Sequence, residues 1–294
     1  MYELIQISEH DYYIDCPSKM GIVKISDADV VMIDGGSDKD AAKKALKAID
    51  ANGWTLKAVY NTHSHADHVG GNALLKNRTG CVCYAYNMEM AVTGIPVIEP
   101  AILYGGSPHK DLRNKFLMAQ PSNAEQLTAD VLPEGWQLIN LPGHSYDMTG
   151  FITKDGNAYI GDAVSSADTI TKYGIMYTWD IGQALETLEY LKTIKANHFV
   201  GAHTPVVEDI TELADLNISG INNNVDKILD LLKEPKSFDE LLKGMFDGTD
   251  LVMNAVQHAL SGSTVRAYLS YLYDLDKITY EFKDNIMYWR TLSF

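Results

Sequence analysis

The stretch that decides the fold is NTHSHADHVGGN, residues 61–72, which holds three of the nine histidines of the chain. From His63 to His68 it follows the pattern His-x-His-x-Asp-His. Imidazole and carboxylate groups are common ligands of zinc, iron and manganese, so this pattern predicts a metal site. Because side chains two positions apart diverge on an α-helix, His63 and His65 can converge on one ion only from an extended or looping segment. We therefore expect the site to begin where the preceding strand, KAVYNT, ends.

A second ion is indicated by Asp67 and His68, which come at the turn into the next helical run. Two ions need further ligands, and three later apolar strands each end in one: QLINLPGH, AYIGD and HFVGAH. Strand ends gather along one edge of the sheet in an α/β fold, so these residues are expected to meet the first cluster. The candidate metal ligands are His63, His65, Asp67, His68, His144, Asp162 and His203.

Strand and helix patterns alternate over the first 206 residues. The runs ELIQI, YYI, MGIVKI and VVMIDGG read as strands, and helices are predicted at 38–51 and 181–196. This alternation predicts an α/β layered architecture built around sheets. Residues 95–130, with four prolines, are long for a bare connection, so a helical excursion or a lid near the site is expected there.

The tail after residue 206 has a different pattern. Helices are predicted at about 212–233, 237–247, 250–261 and 263–276, followed by a hairpin of ITYEF and IMYWR. This arrangement is typical of a winged-helix module. From residue 237 to the end there are eight acids and five bases, which favours packing, dimerisation or substrate covering over DNA binding.

Composition limits the partners of the chain. The net charge of −15 over 294 residues disfavours nucleic acid and anionic membranes, since phosphate binding needs clustered Lys and Arg. The N-terminus does not read as a signal peptide, and no run approaches a membrane span. Cys16, Cys81 and Cys83 form no CxxC and read as free thiols. We expect a cytoplasmic protein with a small-molecule substrate and no nucleic-acid or membrane partner, and a homodimer is compatible with the helical tail.

On these motifs the chain resembles the metallo-β-lactamase superfamily over roughly residues 1–206. The family signature, His-x-His-x-Asp-His followed by a His, an Asp and a His, is present in order, and Asp34 in VVMIDGG matches its Asp-x-Gly position. The resemblance implies an αβ/βα four-layer sandwich with a dinuclear site at one sheet edge. We expect a catalytic domain at 1–210 and a helical, winged-helix-like C-terminal appendage at 211–294.

The resemblance also implies how the ligands are shared. Asp34 would orient a ligand through hydrogen bonds, although it could also be a plain turn residue before two glycines. One ion would be bound by His63, His65 and His144, the other by Asp67, His68 and His203, with Asp162 bridging both.

Two zinc ions, with iron or manganese as alternatives, would lower the pKa of a bridging water and so supply hydroxide near neutral pH. Asp67 and Asp162 would be the catalytic residues of a metal-assisted hydrolysis of a small ester, thioester or lactone. The metal-ligand motif and the helical C-terminus are similar to those of hydroxyacylglutathione hydrolases. Tyr173 and Tyr177 could protonate the leaving group or simply pack in the core or a lid.

Other functions stay open. A mononuclear iron persulfide dioxygenase-like oxidoreductase would use a subset of the ligands, whereas the flavodiiron branch typically has Glu where His65 stands. A third hypothesis is a protein-interaction or regulatory module acting through the winged-helix-like tail. His109, Lys110 and Arg113 could meet a substrate carboxylate if 95–130 covers the site, or form a solvated charged face.

Overall fold

Two β-sheets form the centre of the fold in the computed structural model, which describes residues 2–247, 249 and 251–292. In the first sheet the seven strands follow chain order, with antiparallel pairing up to the fourth strand and parallel pairing beyond it. Its strands are β1 (Glu3–Gln6), β2 (Asp11–Asp15), β3 (Met20–Lys24), β4 (Asp29–Ile33), β5 (Thr55–Tyr60), β6 (Val82–Ala85) and β7 (Glu125–Gln126).

The second sheet has four strands in the order β11-β10-β9-β8. A hairpin turn around Asp155, Gly156 and Asn157 joins β9 and β10, and Gly156 has a φ of +79°, which favours glycine. The strands are β8 (Gln137–Asn140), β9 (Thr149–Ile152), β10 (Asn157–Gly161) and β11 (His198–Gly201).

Ten helices are described around the sheets. The first follows the predicted range, and its N-cap residue Asp38 accepts hydrogen bonds from the backbone N–H groups of Asp40 and Ala41. The ten α-helices are α1 (Lys39–Ala51), α2 (Ala66–Val69), α3 (Asn72–Thr79), α4 (Asn87–Gly94), α5 (Ile98–Tyr104), α6 (Ala167–Tyr173), α7 (Ile181–Leu191), α8 (Thr211–Leu231), α9 (Phe238–Phe246) and α10 (Ala255–Asp274).

The strand sequences explain why the sheets are layered between helices. In β4, Val30 and Met32 pack in the core under α1, whereas Val31 and Ile33 pack between the two sheets. A strand with apolar side chains on both faces must be covered on both faces. In the second sheet, Ile160 packs in the core under α7 and α8. The layers are therefore helix, sheet, sheet and helix, which confirms the predicted αβ/βα four-layer sandwich.

Two helix predictions need correction. The predicted helix 181–196 ends at Leu191, because the next backbone bonds are tight turns of the type Ile194 N–H to Leu191 O, and Ile194 packs against the core from there. In place of the predicted helices 250–261 and 263–276 there is one helix, α10, which begins at Ala255 after the non-helical residues 251–254; residue 250 lies outside the described residues. Gly262 does not interrupt it, since the burial of α10 against α8 and α9 outweighs the cost of about 1 kcal/mol for a helical glycine.

The C-terminal region ends in the predicted hairpin, β12 (Ile278–Lys283) paired with β13 (Ile286–Thr291). Helix α8 packs on α6 and α7, and α10 packs on α7 and α5, so this region contacts three helices of the preceding part of the chain. Residues 95–130 contain α5, a series of turns and the short strand β7, which agrees with the predicted helical excursion. In the described part of the chain, no helix is long and apolar enough to cross a membrane.

Candidate metal centre

All seven predicted ligands meet at one edge of the sandwich. They form two groups, and within each group one possible ligand atom per residue lies within 4.8 Å of the corresponding atoms of the others. The first sheet contributes the residues after β5, and the second contributes the residues after β8, β10 and β11. The first group is His63, His65 and His144; the second is Asp67, His68, Asp162 and His203.

The local backbone of the quoted stretch is the one that the histidine spacing requires. Residues 61–65 lie outside any helix, and α2 begins at Ala66, so His63 and His65 converge from an extended segment. The glycines at the end of the stretch allow a close backbone approach. A Cβ on Gly71 would lie 2.1 Å from the carbonyl oxygen of Gly35, so only glycine lets this turn pack behind the site.

Each of the five histidines in the two groups has one ring nitrogen facing the site and the other facing a neighbouring residue. His65 presents Nδ1 to the site, and the other four present Nε2. A partner on the outer nitrogen fixes both the tautomer and the ring orientation. The outer contacts are His63 with the Thr62 hydroxyl (2.9 Å), His65 with the Glu99 carboxylate (3.4 Å), His68 with Asp34 (2.8 Å), His144 with the Tyr177 carbonyl (3.2 Å) and His203 with the Pro17 carbonyl (2.6 Å).

Asp34 lies directly after β4 with a φ of +62°, a conformation that Asp and Asn tolerate better than most residues. One of its oxygens accepts from the backbone N–H of Thr62 at 2.8 Å. The other accepts from the Thr62 hydroxyl at 2.9 Å and lies 2.8 Å from His68 Nδ1. Because Thr62 also contacts His63, Asp34 touches one histidine directly and reaches another through a single hydroxyl.

Asp162 lies between the two groups. Its Oδ2 atom is 3.5 Å from His144 Nε2 and 3.4 Å from His203 Nε2. Its Oδ1 atom is 3.3 Å from His68 Nε2. One carboxylate therefore contacts histidines of both groups.

Electrostatics keep the site polar in a buried setting. Burial lowers the pKa of His144 to about 3, whereas the Asp162 carboxylate raises the pKa of His203 to about 10. Burial would raise the pKa of Asp67, but His68 and the hydrogen bond from His203 outweigh it and hold that pKa at about 2. The two carboxylates are thus ionised, His144 is neutral, and His203 carries a proton that a bound cation would displace.

Two buried atoms show that these residues fit metal ions. Among the described residues, neither His68 Nε2 nor Asp162 Oδ1 has a hydrogen-bond partner. A buried polar atom without a partner is costly, and a cation between these two donors would satisfy both. The second group could therefore hold a metal ion, and the first group offers three imidazole nitrogens within 4.8 Å of one another for another ion.

Three residues around the site, Thr62, Glu89 and Glu99, were not identified from the sequence. Glu89 on α4 is fully buried and accepts hydrogen bonds from Ser64 and Ser145, next to His63 and His144. Glu99 on α5 is also buried, beside His65. The available signal was an isolated acid in each of two otherwise uncharged helices, NMEMAVTG and IEPAILY, since a buried acid needs a specific partner.

The other candidate residues lie in different settings. The Tyr177 ring is 5.2 Å from the His65 ring, and its hydroxyl is buried with no hydrogen-bond partner among the described residues. Tyr173 contacts the Lys172 ammonium, 4.9 Å from its ring centre. The side chains of His109, Lys110 and Arg113 are exposed, which agrees with a solvated charged face.

The sequence profile of the metallo-beta-lactamase superfamily matches residues 13–203. A hydroxyacylglutathione hydrolase of Methylococcus capsulatus is 57% identical over 160 residues, which cover 54% of this chain and 52% of that protein. Another from Rhodospirillum rubrum is 26% identical over 164 residues, which cover 55% of this chain and 54% of that protein. The chain thus matches about half the length of these curated relatives.

Solved structures share the fold over nearly the whole chain. A beta-lactamase domain protein from Burkholderia ambifaria superposes with a TM-score of 0.76 at 16% identity, covering 99% of this chain and 94% of the other. A metallo-beta-lactamase family protein from Thermus thermophilus gives 0.71 at 18% identity, covering 98% and 97%. With the family profile matched over 191 of 294 residues (13–203), the predicted resemblance is confirmed. The chain belongs to the metallo-beta-lactamase superfamily.

Proposed function

We propose that this protein is a metal-dependent hydrolase that holds two zinc ions and cleaves a small thioester, ester or lactone. The observation that carries the proposal is the position of Asp162, whose carboxylate contacts histidines of both donor groups. When bound, two divalent ions would lower the pKa of a shared water and polarise the substrate oxygen. His63, His65 and His144 would hold one ion, Asp67, His68 and His203 the other, and Asp162 both.

The burial of the donors indicates which side meets the substrate. His63 and His68 are fully buried, whereas the Asp67 side chain is 41% exposed and that of His203 is 33% exposed. Substrate would therefore enter on the side of Asp67 and His203. Asp67 Oδ2 lies 3.0 Å from His203 Nε2, so its carboxylate is held where it could orient the attacking water through a hydrogen bond. Asp34 would hold His68 in place from behind.

Thioesters are proposed first because the curated relatives are named hydroxyacylglutathione hydrolases. The second donor group favours two ions over the single iron of a persulfide dioxygenase-like oxidoreductase. A single iron would leave Asp67 and His203 without a ligand role. We also propose that residues 1–210 form the catalytic domain and 211–294 the appendage, since all seven donors lie in the first range. A reducing, cytoplasmic setting agrees with the three free, buried cysteines. Dimerisation stays a prediction.

The test compares metal content and hydrolysis in matched variants. Protein purified without chelators or a metal-affinity column should carry about two zinc ions per chain and hydrolyse members of a panel of thioesters, lactones and phosphoesters. His65→Ala and His203→Ala each remove a donor from a different group, so each should lose metal and at least about 100-fold in kcat/KM. His109→Ala removes an exposed imidazole outside both groups and should change neither quantity.

Full activity in either site variant, with folding verified by circular dichroism, would contradict the dinuclear assignment. About one iron per chain, with oxygen consumption in place of hydrolysis, would support the oxidoreductase instead.

A further inference from the structure

We propose that Glu99 is a positioning residue for His65, and that helix α5 and the C-terminal helix α10 hold it there. The inference rests on the proposed metal site and adds to it a carboxylate from outside the family motif. His65 differs from the other four histidines because it faces the site through Nδ1. That atom is 3.0 Å from His63 Nε2 and 3.1 Å from His144 Nε2.

The outer nitrogen of His65 needs a partner. His65 Nε2 is buried and makes no hydrogen bond within the described residues, and Glu99 Oε1 lies 3.4 Å from it. Hydrogen bonds at such sites are often long before the ligand is bound, and a small rotation of the ring would shorten this one. Once made, it would fix the proton on Nε2 and leave the lone pair of Nδ1 facing the other two histidines of the group.

The surroundings hold Glu99 in one orientation. The side chain is nearly completely buried, and the Tyr146 hydroxyl donates to its Oε2 atom at 3.2 Å. A buried carboxylate is costly unless it has polar partners. The partners beside Glu99 are the Tyr146 hydroxyl and the His65 ring. Glu99 therefore lies where a fixed acceptor for His65 is required, and its second oxygen is anchored on the opposite side.

The helix that carries Glu99 is held by the C-terminal region. Leu103, one turn further along α5, packs in a cluster with Leu112, Leu117 and Ala259, the last of these on α10. Helix α10 packs more extensively on α5 than on any other helix. The excursion at 95–130 thus supports a ligand from behind, and α10 reaches the metal centre through it. This assigns the C-terminal region a part in metal binding although it supplies no ligand.

Zinc affinity tests the proposal independently of turnover. Glu99→Ala removes the acceptor, and its affinity for Zn²⁺, measured by competition with a chromophoric chelator, should fall about 10- to 100-fold. Glu99→Gln keeps a carbonyl oxygen that can accept from Nε2–H, so it should restore most of that affinity. Cobalt-substituted Glu99→Ala should show altered d–d absorption bands, which a purely structural loss elsewhere would not produce. Glu189→Ala, at an exposed position on α7, is the matched control and should bind zinc as the wild type does.

If Glu99→Ala keeps the affinity and the cobalt spectrum of the wild type, the proposal is overturned. If Glu99→Ala does not fold, Tyr146→Phe takes its place. This variant removes the hydrogen bond to Glu99 Oε2 and should weaken zinc binding by a smaller factor. An unchanged zinc affinity of Tyr146→Phe would then overturn the proposal. The proposed function fails separately, when the wild type binds two ions but hydrolyses no member of the panel, and the affinity comparison then still decides the role of Glu99.

Discussion

At the scale of single residues, the site depends on what stands behind each ligand. The clearest case is the chain of contacts from Asp34 through Thr62 to His63, with a direct branch from Asp34 to His68. One carboxylate thereby influences a histidine in each donor group. All four residues are buried, so the loss of the Asp34 acceptor leaves its donors without solvent to replace it.

Asp34→Asn tests this role without disturbing the backbone. Asn also tolerates the φ of +62°, so the substitution replaces one acceptor oxygen by a donor and adds little strain. We expect zinc affinity to fall about 10- to 100-fold. The free energy of unfolding should fall by about 1–3 kcal/mol, because a buried donor loses its charged acceptor. Chelator competition and urea denaturation measure the two effects, and wild-type values in both would show that Asp34 is only a turn residue.

The candidate ligands and their meeting at one sheet edge could be predicted at the residue scale because they are local or ordered along the chain. His63, His65 and His68 form one recognisable pattern, and each later ligand follows an apolar strand. Glu89 and Glu99 could not be predicted in the same way. Their roles depend on which loops α4 and α5 contact in the folded protein, and the residue pattern of the two helices does not predict those contacts.

At the scale of elements, α4 connects two ligand-bearing loops. Glu89 accepts from the backbone N–H of Ser64 at 2.8 Å and of Asp147 at 3.0 Å, and from the hydroxyls of Ser64 and Ser145. Ser64 lies between His63 and His65, and Ser145 follows His144. A single buried carboxylate thus holds together the loops after β5 and β8, which supply the three histidines of the first group.

Glu89→Gln should loosen this connection while keeping the size of the side chain. The amide nitrogen of Gln donates, so at least one of the four donors loses its acceptor inside the protein. We expect the free energy of unfolding to fall by about 2–4 kcal/mol, since these bonds are buried and charge-assisted. Thermal and urea unfolding measure the change. The exposed Glu189→Gln should be neutral within about 0.5 kcal/mol, and equal stability of the two variants would contradict the role given to Glu89.

Element boundaries were predictable where a local signal exists. Asp38 before α1 is a strong N-cap, and Gly156 marks the β9–β10 turn. The end of α7 and the continuity of α10 were not, because tertiary packing overrides propensity at both places. Ile194 leaves the helical path to reach the core, and Gly262 stays helical under the packing of α8 and α9.

At the scale of the whole molecule, each donor group joins the two sheets. His63 and His65 follow β5 of the first sheet, and His144 follows β8 of the second. Asp67 and His68 follow the first sheet, whereas Asp162 and His203 follow β10 and β11 of the second. An ion in either group would therefore link the two halves of the sandwich.

Metal removal should therefore lower the stability of the entire fold. An ion that binds only the folded state stabilises it by RT ln(1 + [L]/Kd), which is about 4 kcal/mol at a thousandfold excess over Kd. We expect dialysis against a chelator to lower Tm by about 8 °C or more, and zinc to restore it, as followed by differential scanning calorimetry. The His65→Ala/His203→Ala double variant, which lacks a donor in each group, should show a much smaller shift. If the wild type unfolds at the same temperature with and without zinc, the ions do not link the sheets, and the sandwich is held by its apolar core alone.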